Sequence, residues 1–364
     1  MRYYILAGEA SGDLHGAALI RALKVADPEA EFRAWGGDRM EAAGAPLVKH
    51  YRDLAFMGFV EVVKHLGTIL RNIRLAKEDI TAYRPDVLIL IDYPGFNMRI
   101  AKWAKERGIR VVYYISPQIW AWKEGRVKAL RRDVDQMLVI LPFEKDFYKK
   151  HDMDVAYVGH PLIGAIAAQK QKPIDDSLRF EKPVIALLPG SRAQEIRQKL
   201  PLMLSVVRHF PHHQFVVAAA PAQPLSLYEE LVGDLPVEII SGKTYEILQV
   251  ATAALVTSGT ATLETALFGV PQIVCYRGNP ISYQLAKRLI KVKYISLVNL
   301  ILDAPVVPEL IQDALNETNL TGALQKLTDS HSTERAQMLA QYQKLWNLLG
   351  STDASAEAAR HIVA

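Results

Sequence analysis

The stretch Thr257-Ser-Gly-Thr-Ala-Thr-Leu-Glu-Thr-Ala-Leu-Phe-Gly-Val-Pro271 decides the interpretation of the chain. The apolar run Ala253–Val256 before it predicts a buried parallel strand, and the glycine after Ser258 allows a sharp turn. The hydroxyls of Ser258, Thr260 and Thr262 then fall where a helix begins, beside amide N–H groups that lack intrahelical partners. Such a turn is typical of an anion site, although an ordinary turn with capping hydroxyls has the same pattern.

Length and composition indicate the class of protein. The 364 residues are too many for one hydrophobic core, so we expect two domains of similar size. Half of the residues are hydrophobic and 23% are charged, which is typical of a folded soluble protein. The single cysteine, Cys275, excludes a disulfide framework and indicates a reducing compartment.

Targeting signals and charge add two further expectations. The first residues run directly into a strand, and no apolar run approaches the roughly 20 residues of a membrane span, so neither export nor a span is expected. A net charge of +4 weakly favours an anionic partner. Nucleic acid is not expected, because no stripe of basic and aromatic residues is present.

Apolar runs of strand length recur through both halves of the chain, and each ends in a turn that leads into a helical pattern. This alternation predicts the α/β class, with two doubly wound, Rossmann-like parallel sheets. We predict an N-terminal domain over 1–170, a C-terminal domain over 171–340 and a C-terminal helix over 341–364, which packs on the N-terminal domain or on a dimer partner. The predicted strands are Arg2–Ala7, Glu31–Trp35, Val87–Ile91, Val111–Ile115, Met137–Leu141, Ala156–Val158, Val184–Leu188, Phe215–Ala219, Val237–Ile240, Ala253–Val256 and Gln272–Cys275.

The first strand ends in Gly8-Glu-Ala-Ser-Gly-Asp-Leu-His-Gly16, which predicts a glycine-rich turn before a helix over Ala17–Lys24. The glycine spacing is not the dinucleotide fingerprint G-x-G-x-x-G, and Glu9 and Asp13 would repel a pyrophosphate. We therefore expect a site for a neutral, hydroxyl-rich group. The alternative is a plain connection in which Asp13 caps a helix.

Two further strand ends carry charged side chains suited to catalysis and phosphate binding. Val87–Ile91 ends at Asp92, and a carboxylate at the carboxyl end of a buried parallel strand lies where open α/β sheets bind ligands. Partial burial raises the pKa of such a carboxylate, so Asp92 is a candidate general base or its orienting residue; a helix cap is the alternative. Val184–Leu188 is followed by Arg192, whose guanidinium can fork onto a phosphate.

Two apolar and basic stretches in the first half have two interpretations each. Leu54–Leu70 is broadly apolar with basic residues around it, which fits a helix on an anionic membrane surface or a core helix with a solvated basic face. Ser116-Pro-Gln-Ile-Trp-Ala-Trp122 is followed by a basic run that begins at Lys123. Its tryptophans can stack on a sugar or an acyl chain, or fill the core. The basic run can meet an anionic head group or face solvent.

These motifs, in this order, resemble the lipid-A-disaccharide synthase family (glycosyltransferase family 19) of the GT-B superfamily. The resemblance extends from Met1 to about Gln312. It implies two Rossmann-like domains facing one cleft, the first for the acceptor and the membrane, the second for a UDP-sugar. The motifs are Gly8–Gly16, Met57-Gly58, Asp92–Asn97, Ser116–Trp122, Leu141-Pro-Phe-Glu144, Gly159-His-Pro161, Pro189–Arg192, Thr257–Pro271 and Ser296-Leu-Val-Asn-Leu300.

The resemblance also implies a reaction and a set of site residues. UDP-2,3-diacylglucosamine would donate its sugar, with inversion, to the 6-hydroxyl of 2,3-diacylglucosamine 1-phosphate. The reaction would take place on an anionic membrane surface, at the cytoplasmic face of a Gram-negative inner membrane. The resemblance implies no metal or other cofactor and is compatible with a homodimer. The choice of base between Asp92 and Asp13 stays open. The implied residues are Glu9, Asp13 and Asp92 for catalysis; Ser191, Arg192, Ser258, Gly259, Thr260, Ala261, Thr262, Glu264 and Asn299 for the UDP-sugar; and Ser11, His15, Met57, Phe59, Val62, Val63 and Leu66 for the acceptor, its acyl chains or the membrane.

Other functions fit parts of the pattern. A UDP-N-acetylglucosamine 2-epimerase, or another UDP-sugar transferase, would keep the fold without needing the apolar stretch. A nicotinamide oxidoreductase is disfavoured because neither half has the dinucleotide fingerprint. A non-catalytic membrane-surface binder would leave Asp92, Arg192 and Glu264 without a function.

Overall fold

The computed structural model describes residues 1–53, 66–279, 283, 292–350 and 353–364. They form two compact units, Met1–Pro161 with Ser351–Ala364 and Leu162–Gly350. The predicted boundary after residue 170 lies too far along the chain. The helix Leu162–Lys170 belongs to the second unit, because it packs on the helices Thr244–Val250 and Thr260–Phe268.

The segment 341–364, predicted as one C-terminal helix, is divided between the two units. The helix Thr333–Leu349 lies in the second unit, whereas Ala354–Val363 lies in the first, against Ala10–Ala26. Ile362 is fully buried there, and Arg110 Nη1 donates a hydrogen bond of 2.8 Å to its carbonyl oxygen. The end of the chain therefore completes the core of the first unit.

Strands and helices alternate in both units, as the α/β class requires. The strands are β1 (Arg2–Ala7), β2 (Glu31–Gly36), β3 (Leu47–His50), β4 (Val87–Ile91), β5 (Arg110–Tyr114), β6 (Gln136–Val139), β7 (Ala156–Tyr157), β8 (Val184–Leu188), β9 (Gln214–Ala219), β10 (Val237–Ser241), β11 (Ala251–Thr257), β12 (Gln272–Tyr276) and β13 (Glu309–Ile311). The helices are α1 (Ala10–Ala26), α2 (Asp38–Ala42), α3 (Leu66–Tyr83), α4 (Pro94–Lys105), α5 (Ile119–Trp122), α6 (Val127–Asp133), α7 (Phe143–Lys149), α8 (Leu162–Lys170), α9 (Ala193–Leu204), α10 (Leu225–Val232), α11 (Thr244–Val250), α12 (Thr260–Phe268), α13 (Leu297–Leu302), α14 (Glu317–Thr328), α15 (Thr333–Leu349) and α16 (Ala354–Val363).

Each unit is built on a parallel sheet whose strand order reverses once. The order is β3-β2-β1-β4-β5-β6-β7 in the first unit and β10-β9-β8-β11-β12-β13 in the second. The reversal falls between β1 and β4, and between β8 and β11. Chains that leave such neighbouring strands turn to opposite faces of the sheet and open a crevice between them, which is where doubly wound sheets bind ligands. The four turns predicted to hold the site follow these four strands.

The start of the first helix differs from the prediction. α1 begins at Ala10 rather than at Ala17, so only Gly8 and Glu9 form the turn. Gly16 lies inside the helix, where a Cβ atom would lie 2.6 Å from Met40 Sδ. Glycine at this position allows α1 to pack closely against Met40. The sequence alone does not distinguish a glycine that allows close packing from one that forms a turn.

Candidate active site

The crevice of the first unit brings Glu9 and Asp92 to neighbouring strand ends. Ala7, the last residue of β1, is paired with Ile91, the last residue of β4. Glu9 then precedes α1, whereas Asp92 and Tyr93 precede α4. Both carboxylates therefore lie at the carboxyl edge of the sheet, as predicted for a site at this edge.

Asp92 lies in a strained turn that is held from several sides. Asp92 and Tyr93 have φ angles of 43° and 47°, in the left-handed region that residues other than glycine rarely adopt. The carbonyl oxygen of Asp92 accepts hydrogen bonds from Asn97 Nδ2 at 2.8 Å and from the Tyr113 hydroxyl at 2.5 Å. Gly8 gives the Tyr93 ring its space, because a Cβ atom there would lie 2.4 Å from that ring. These contacts fix the backbone that carries the carboxylate.

The environment of Asp92 raises its pKa to about 6. Burial is the larger cause, and the negative charge of Glu9 adds to it. A carboxylate with this pKa is ionised at neutral pH and still basic enough to take a proton from a hydroxyl in a transition state. This pKa is compatible with the predicted function of Asp92 as a general base.

Asp13, the other candidate base, has a structural function in this fold. Its side chain is 3% exposed and accepts hydrogen bonds from the backbone N–H groups of Gly37 at 2.7 Å, Met40 at 3.0 Å and Arg39 at 3.2 Å. These groups belong to the start of α2, so Asp13 caps a helix distant in sequence. These three donors favour Asp92 over Asp13 as the base, and a catalytic function of Asp13 stays a prediction.

The two predicted acceptor residues on α1 differ in exposure. Ser11 is exposed on the first turn of the helix, and His15 is half-buried one turn later. Burial lowers the pKa of His15 to about 4. Burial and the nearby His15 lower the pKa of His160, in the Gly-His-Pro turn, to about 3. Both imidazoles are therefore neutral at pH 7 and can hydrogen-bond to hydroxyl groups without adding charge.

The crevice of the second unit contains a cavity of about 340 Å³ at the carboxyl ends of β8 and β11. Val256 and Leu188 are paired near the ends of these two strands. The cavity brings six of the nine predicted UDP-sugar residues together. They are Ser191, Ser258, Gly259, Thr260, Ala261 and Glu264, joined by Leu188, Gly190, Glu195, Ala218, Ala220, Pro221, Thr244 and Thr257.

The turn into α12 has the geometry of an anion site. Gly259 precedes the helix with a φ of 147°, and Thr260 begins it. The first amide N–H groups of such a helix have no intrahelical acceptor and point out of its N-terminus. Ser258 Oγ donates to the carbonyl oxygen of Ile295 at 2.8 Å, which leaves its lone pairs as acceptors. Thr262 is fully buried and its hydroxyl donates to Gly259 O at 2.8 Å, so its side chain holds the turn; its contact with the UDP-sugar stays a prediction.

Thr257 is a candidate that the sequence-based prediction did not include. Its side chain is 6% exposed and lines the cavity, and its hydroxyl has no hydrogen-bond partner among the residues that the structure describes. A buried hydroxyl without a partner is unfavourable unless something else supplies one. The sequence signal that could have identified Thr257 is its position at the end of an apolar strand, directly before the turn.

Glu264 lies on α12 with one carboxylate oxygen fixed. The Tyr245 hydroxyl donates to Glu264 Oε1 at 2.8 Å, and the Tyr245 ring packs on Phe268 with 5.2 Å between ring centroids. Burial raises the pKa of Glu264, and the bond from Tyr245 opposes that rise. The sequence-based prediction did not include Tyr245, because nothing local links it to a residue one strand and one turn further along.

Arg192 lies beside this cavity rather than in its wall. It precedes α9, its side chain is 65% exposed, and Nη1 lies 3.4 Å from Glu195 Oε1. Glu195 itself lines the cavity. An exposed ion pair of this kind contributes little to stability. The guanidinium can therefore exchange Glu195 for a more strongly charged phosphate.

Asn299 does not line the cavity at the ends of β8 and β11, and its contact with the UDP-sugar stays a prediction. It is 1% exposed, its Nδ2 donates at 2.9 Å to both Val307 O and Glu309 Oε1, and its Oδ1 accepts from Val307 N at 2.9 Å. It borders a different cavity, lined by the loop around Val307 and by α14 and α15. All of its amide atoms hold that loop.

The predicted membrane contacts are only partly within the described residues. Met57, Phe59, Val62 and Val63 lie outside them, as does the side chain of Leu66. Within the described ranges, no helix has both the length and the hydropathy that a bilayer span requires. The same ranges contain no group of three His, Cys, Asp or Glu side chains placed to hold a metal ion.

Comparison with known proteins identifies the family. The profile of the family described as Lipid-A-disaccharide synthetase matches residues 3–363. The chain belongs to this family. A lipid-A-disaccharide synthase of Trichlorobacter lovleyi is 41% identical over 335 residues, which cover 90% of this chain and 88% of that protein. One from Myxococcus xanthus is 36% identical over 378 residues, covering 100% and 97%. The expected family is confirmed, and with it the expected glycosyltransferase class.

Solved structures confirm the GT-B fold of this lipid-A-disaccharide synthetase family member. A UDP-N-acetylglucosamine 2-epimerase from Neisseria meningitidis, bound to UDP-N-acetylglucosamine, is 12% identical with a TM-score of 0.68, and a spinosyn rhamnosyltransferase is 14% identical with a TM-score of 0.63. Each match covers 100% of both chains. At this identity the likeness is one of fold alone. The epimerase alternative is therefore not favoured, because the relatives by sequence are disaccharide synthases.

Proposed function

We propose that the chain transfers the sugar of UDP-2,3-diacylglucosamine to the 6-hydroxyl of 2,3-diacylglucosamine 1-phosphate. The products are a β-1,6-linked disaccharide 1-phosphate and UDP. The observation that carries the proposal is the cavity at the ends of β8 and β11, in a chain of this family. It combines a helix N-terminus, free hydroxyl oxygens and a carboxylate, which are the groups that a nucleotide diphosphate and its ribose require.

The second unit binds the donor and stabilises the leaving group in this proposal. The N–H groups at the start of α12 donate hydrogen bonds to the diphosphate, with Ser258 and Thr257 beside them. Arg192 adds a guanidinium, and Glu264 accepts from a ribose hydroxyl. As the bond between the anomeric carbon and the diphosphate oxygen breaks, both electrons go to UDP, whose new charge these donors stabilise. We expect no metal or other cofactor, because the groups named supply this stabilisation.

The first unit supplies the base in this proposal. The Asp92 carboxylate takes the proton of the 6-hydroxyl while that oxygen forms a bond to the anomeric carbon, on the face opposite to the departing UDP. This single displacement converts the α-linked donor to a β-linked product. The Glu9 carboxylate keeps Asp92 basic through its charge.

The acyl chains of both substrates place the reaction at a membrane surface. We propose that the segment with Met57, Phe59, Val62, Val63 and Leu66 contacts the anionic cytoplasmic face of the inner membrane. The first turns of α3 also combine exposed apolar and basic side chains. Leu70 and Leu75 there are 54% and 39% exposed, and Arg71 and Arg74 beside them are exposed cations.

One assay tests the reaction: purified protein with acylated donor and acceptor in detergent, with and without EDTA, and mass detection of the disaccharide phosphate and UDP. We expect both products in both conditions. Arg192→Ala should lose about 100-fold or more of the transfer rate, since one lost donor to a developing charge has this effect. Arg197→Ala on the same helix is the matched control, because its exposed guanidinium pairs with Glu230 instead.

Two further variants separate binding from chemistry and test the membrane contact. Asp92→Asn should abolish transfer while UDP binding stays unchanged, and a fully active Asp92→Asn would exclude Asp92 as the base. Serine at Val62, Val63 and Leu66 should reduce binding to liposomes, and unchanged binding would refute the membrane contact. The homodimer stays a prediction, measured by light scattering of the purified protein.

A further inference from the structure

An exposed tryptophan and two cations after β5 have no function in the mechanism above. β5 leads through residues 115–118 into the short helix α5, in which Ile119 is buried and Trp122 is 52% exposed. Lys123 Nζ lies 3.9 Å from the centroid of the Trp122 ring. A large aromatic ring that is half exposed and covered on one face by a cation is typical of a recognition surface.

Neither Lys123 nor Arg126 forms an ion pair with a residue that the structure describes. Arg126 follows Lys123 by one turn, and Arg126 N donates to Lys123 O at 2.9 Å. Glu124, the acidic residue between them, lies with Oε1 3.0 Å from His151 Nε2. Burial and the charge of Arg126 both lower the pKa of Lys123, so the two cations repel each other unless an anion binds.

This pair of cations follows β5, the neighbour of the strand that ends at Asp92. β4 and β5 are neighbours in the sheet, and Ile91 is paired with Tyr114. The Tyr113 hydroxyl donates to the carbonyl oxygen of Asp92. Burial raises the pKa of Tyr113, and the charge of Arg126 is close enough to oppose that rise. A ligand whose hydroxyl reaches Asp92 can therefore place a charged end near Arg126.

We propose that Lys123 and Arg126 bind the phosphate of the acceptor sugar and that Trp122 stacks on its ring. The inference rests on the proposed function, which supplies an acceptor with a phosphate on carbon 1 and the reacting hydroxyl on carbon 6. Carbon 1 and carbon 5, which carries carbon 6, both flank the ring oxygen, so the phosphate and the reacting hydroxyl belong to one end of the same sugar ring. If the phosphate is bound after β5, the reacting hydroxyl can face the end of β4. Lysine and arginine are the side chains that bind a phosphate monoester.

The test compares two acceptors, 2,3-diacylglucosamine 1-phosphate and the same lipid without the phosphate, at saturating donor in detergent micelles. We expect the wild-type kcat/KM to be at least tenfold higher for the phosphorylated acceptor. Lys123→Gln combined with Arg126→Gln should remove most of this preference by lowering kcat/KM for the phosphorylated acceptor, with the donor KM unchanged. Lys128→Gln, which removes an exposed cation on the next helix, should keep the preference.

The tryptophan gives a separate readout. Trp122→Ala should raise the KM of both acceptors by a similar factor, and Trp122→Phe should restore most of the loss, since any aromatic ring can stack. Unchanged thermal unfolding of each variant shows that the fold is kept. This is expected because the three side chains lie at the surface or are half-buried.

Three results would overturn the inference: no preference in the wild type, a preference that survives the double variant, or a Trp122→Ala variant with unchanged KM. If the preference survives but the double variant no longer binds vesicles of phosphatidylglycerol, the cations contact a lipid head group instead of the acceptor. If the wild type makes no disaccharide from either lipid, the proposed function fails, which is a different outcome.

Discussion

Replacing Glu9 by Gln isolates one of the two causes that set the basicity of Asp92. The pKa of Asp92 is raised from 3.8 to about 6, first by burial and then by the charge of Glu9. A group with this pKa is about nine-tenths ionised at pH 7 and about one-tenth ionised at pH 5. If Asp92 is the base, kcat/KM for the acceptor should therefore fall by roughly tenfold between these pH values.

The sign of the effect of Glu9→Gln follows from like-charge repulsion. Without the Glu9 charge, ionised Asp92 is less disfavoured, so its pKa falls and the acidic limb of the pH profile moves to lower pH. Burial remains, so the pKa should stay above 3.8. A fall of one unit corresponds to about 1.4 kcal/mol and would raise the rate at pH 5 by roughly fivefold.

The assay is the pH dependence of kcat/KM for the acceptor, from about pH 4.5 to about pH 8, for the wild type, Glu9→Gln and a control. Glu41→Gln is the control because it removes an exposed carboxylate from α2 of the same unit. A phosphate monoester also titrates near pH 6, so the comparison uses one acceptor for all three proteins. An acidic limb in Glu9→Gln that stays in place, or moves to higher pH, would refute the coupling of Glu9 to Asp92.

Three further substitutions separate structural from functional polar groups. Asp13→Ala removes the acceptor of three backbone N–H groups, so urea denaturation should show a loss of roughly 3 kcal/mol or more in the free energy of unfolding. Thr257→Val replaces an unpartnered hydroxyl by a methyl group; calorimetry should show unchanged or higher thermal stability but several-fold weaker UDP binding. Tyr245→Phe removes the bond that fixes Glu264, so the donor KM should rise by roughly tenfold with kcat unchanged.

All interior strands and the edge strands β7 and β10 could be predicted from the sequence, whereas the edge strands β3 and β13 could not. β4 and β8 match their predicted bounds, because all residues of these central strands are buried and form uninterrupted apolar runs. β3 and β13 were not predicted. They lie at the edges of the two sheets, are four and three residues long, and consist of half-buried residues without a clear pattern.

The place of the site could be predicted better than the function of each side chain in it. Turns after β1, β4, β8 and β11 were singled out because polar residues follow apolar runs there. Asp13 and Asp92 are the same residue type in similar glycine-containing motifs. Only the fold shows that the N–H groups of Gly37, Arg39 and Met40 surround Asp13, whereas the Asp92 carboxylate is raised in pKa beside Glu9.

The backbone around Asp92 is itself an argument for function. Two consecutive left-handed residues cost of order 1–3 kcal/mol each, and such conformations persist only where their surroundings enforce them. Asn97 and Tyr113 both donate to the Asp92 carbonyl oxygen, and Asn97 also donates to Ile91 O at 3.1 Å. A cap for α4 would need neither this strain nor these bonds, and the N-cap position of α4 is held by Tyr93 rather than by Asp92. The arrangement is explained if the fold must hold a poorly solvated carboxylate at the edge of the sheet, ready to accept a proton.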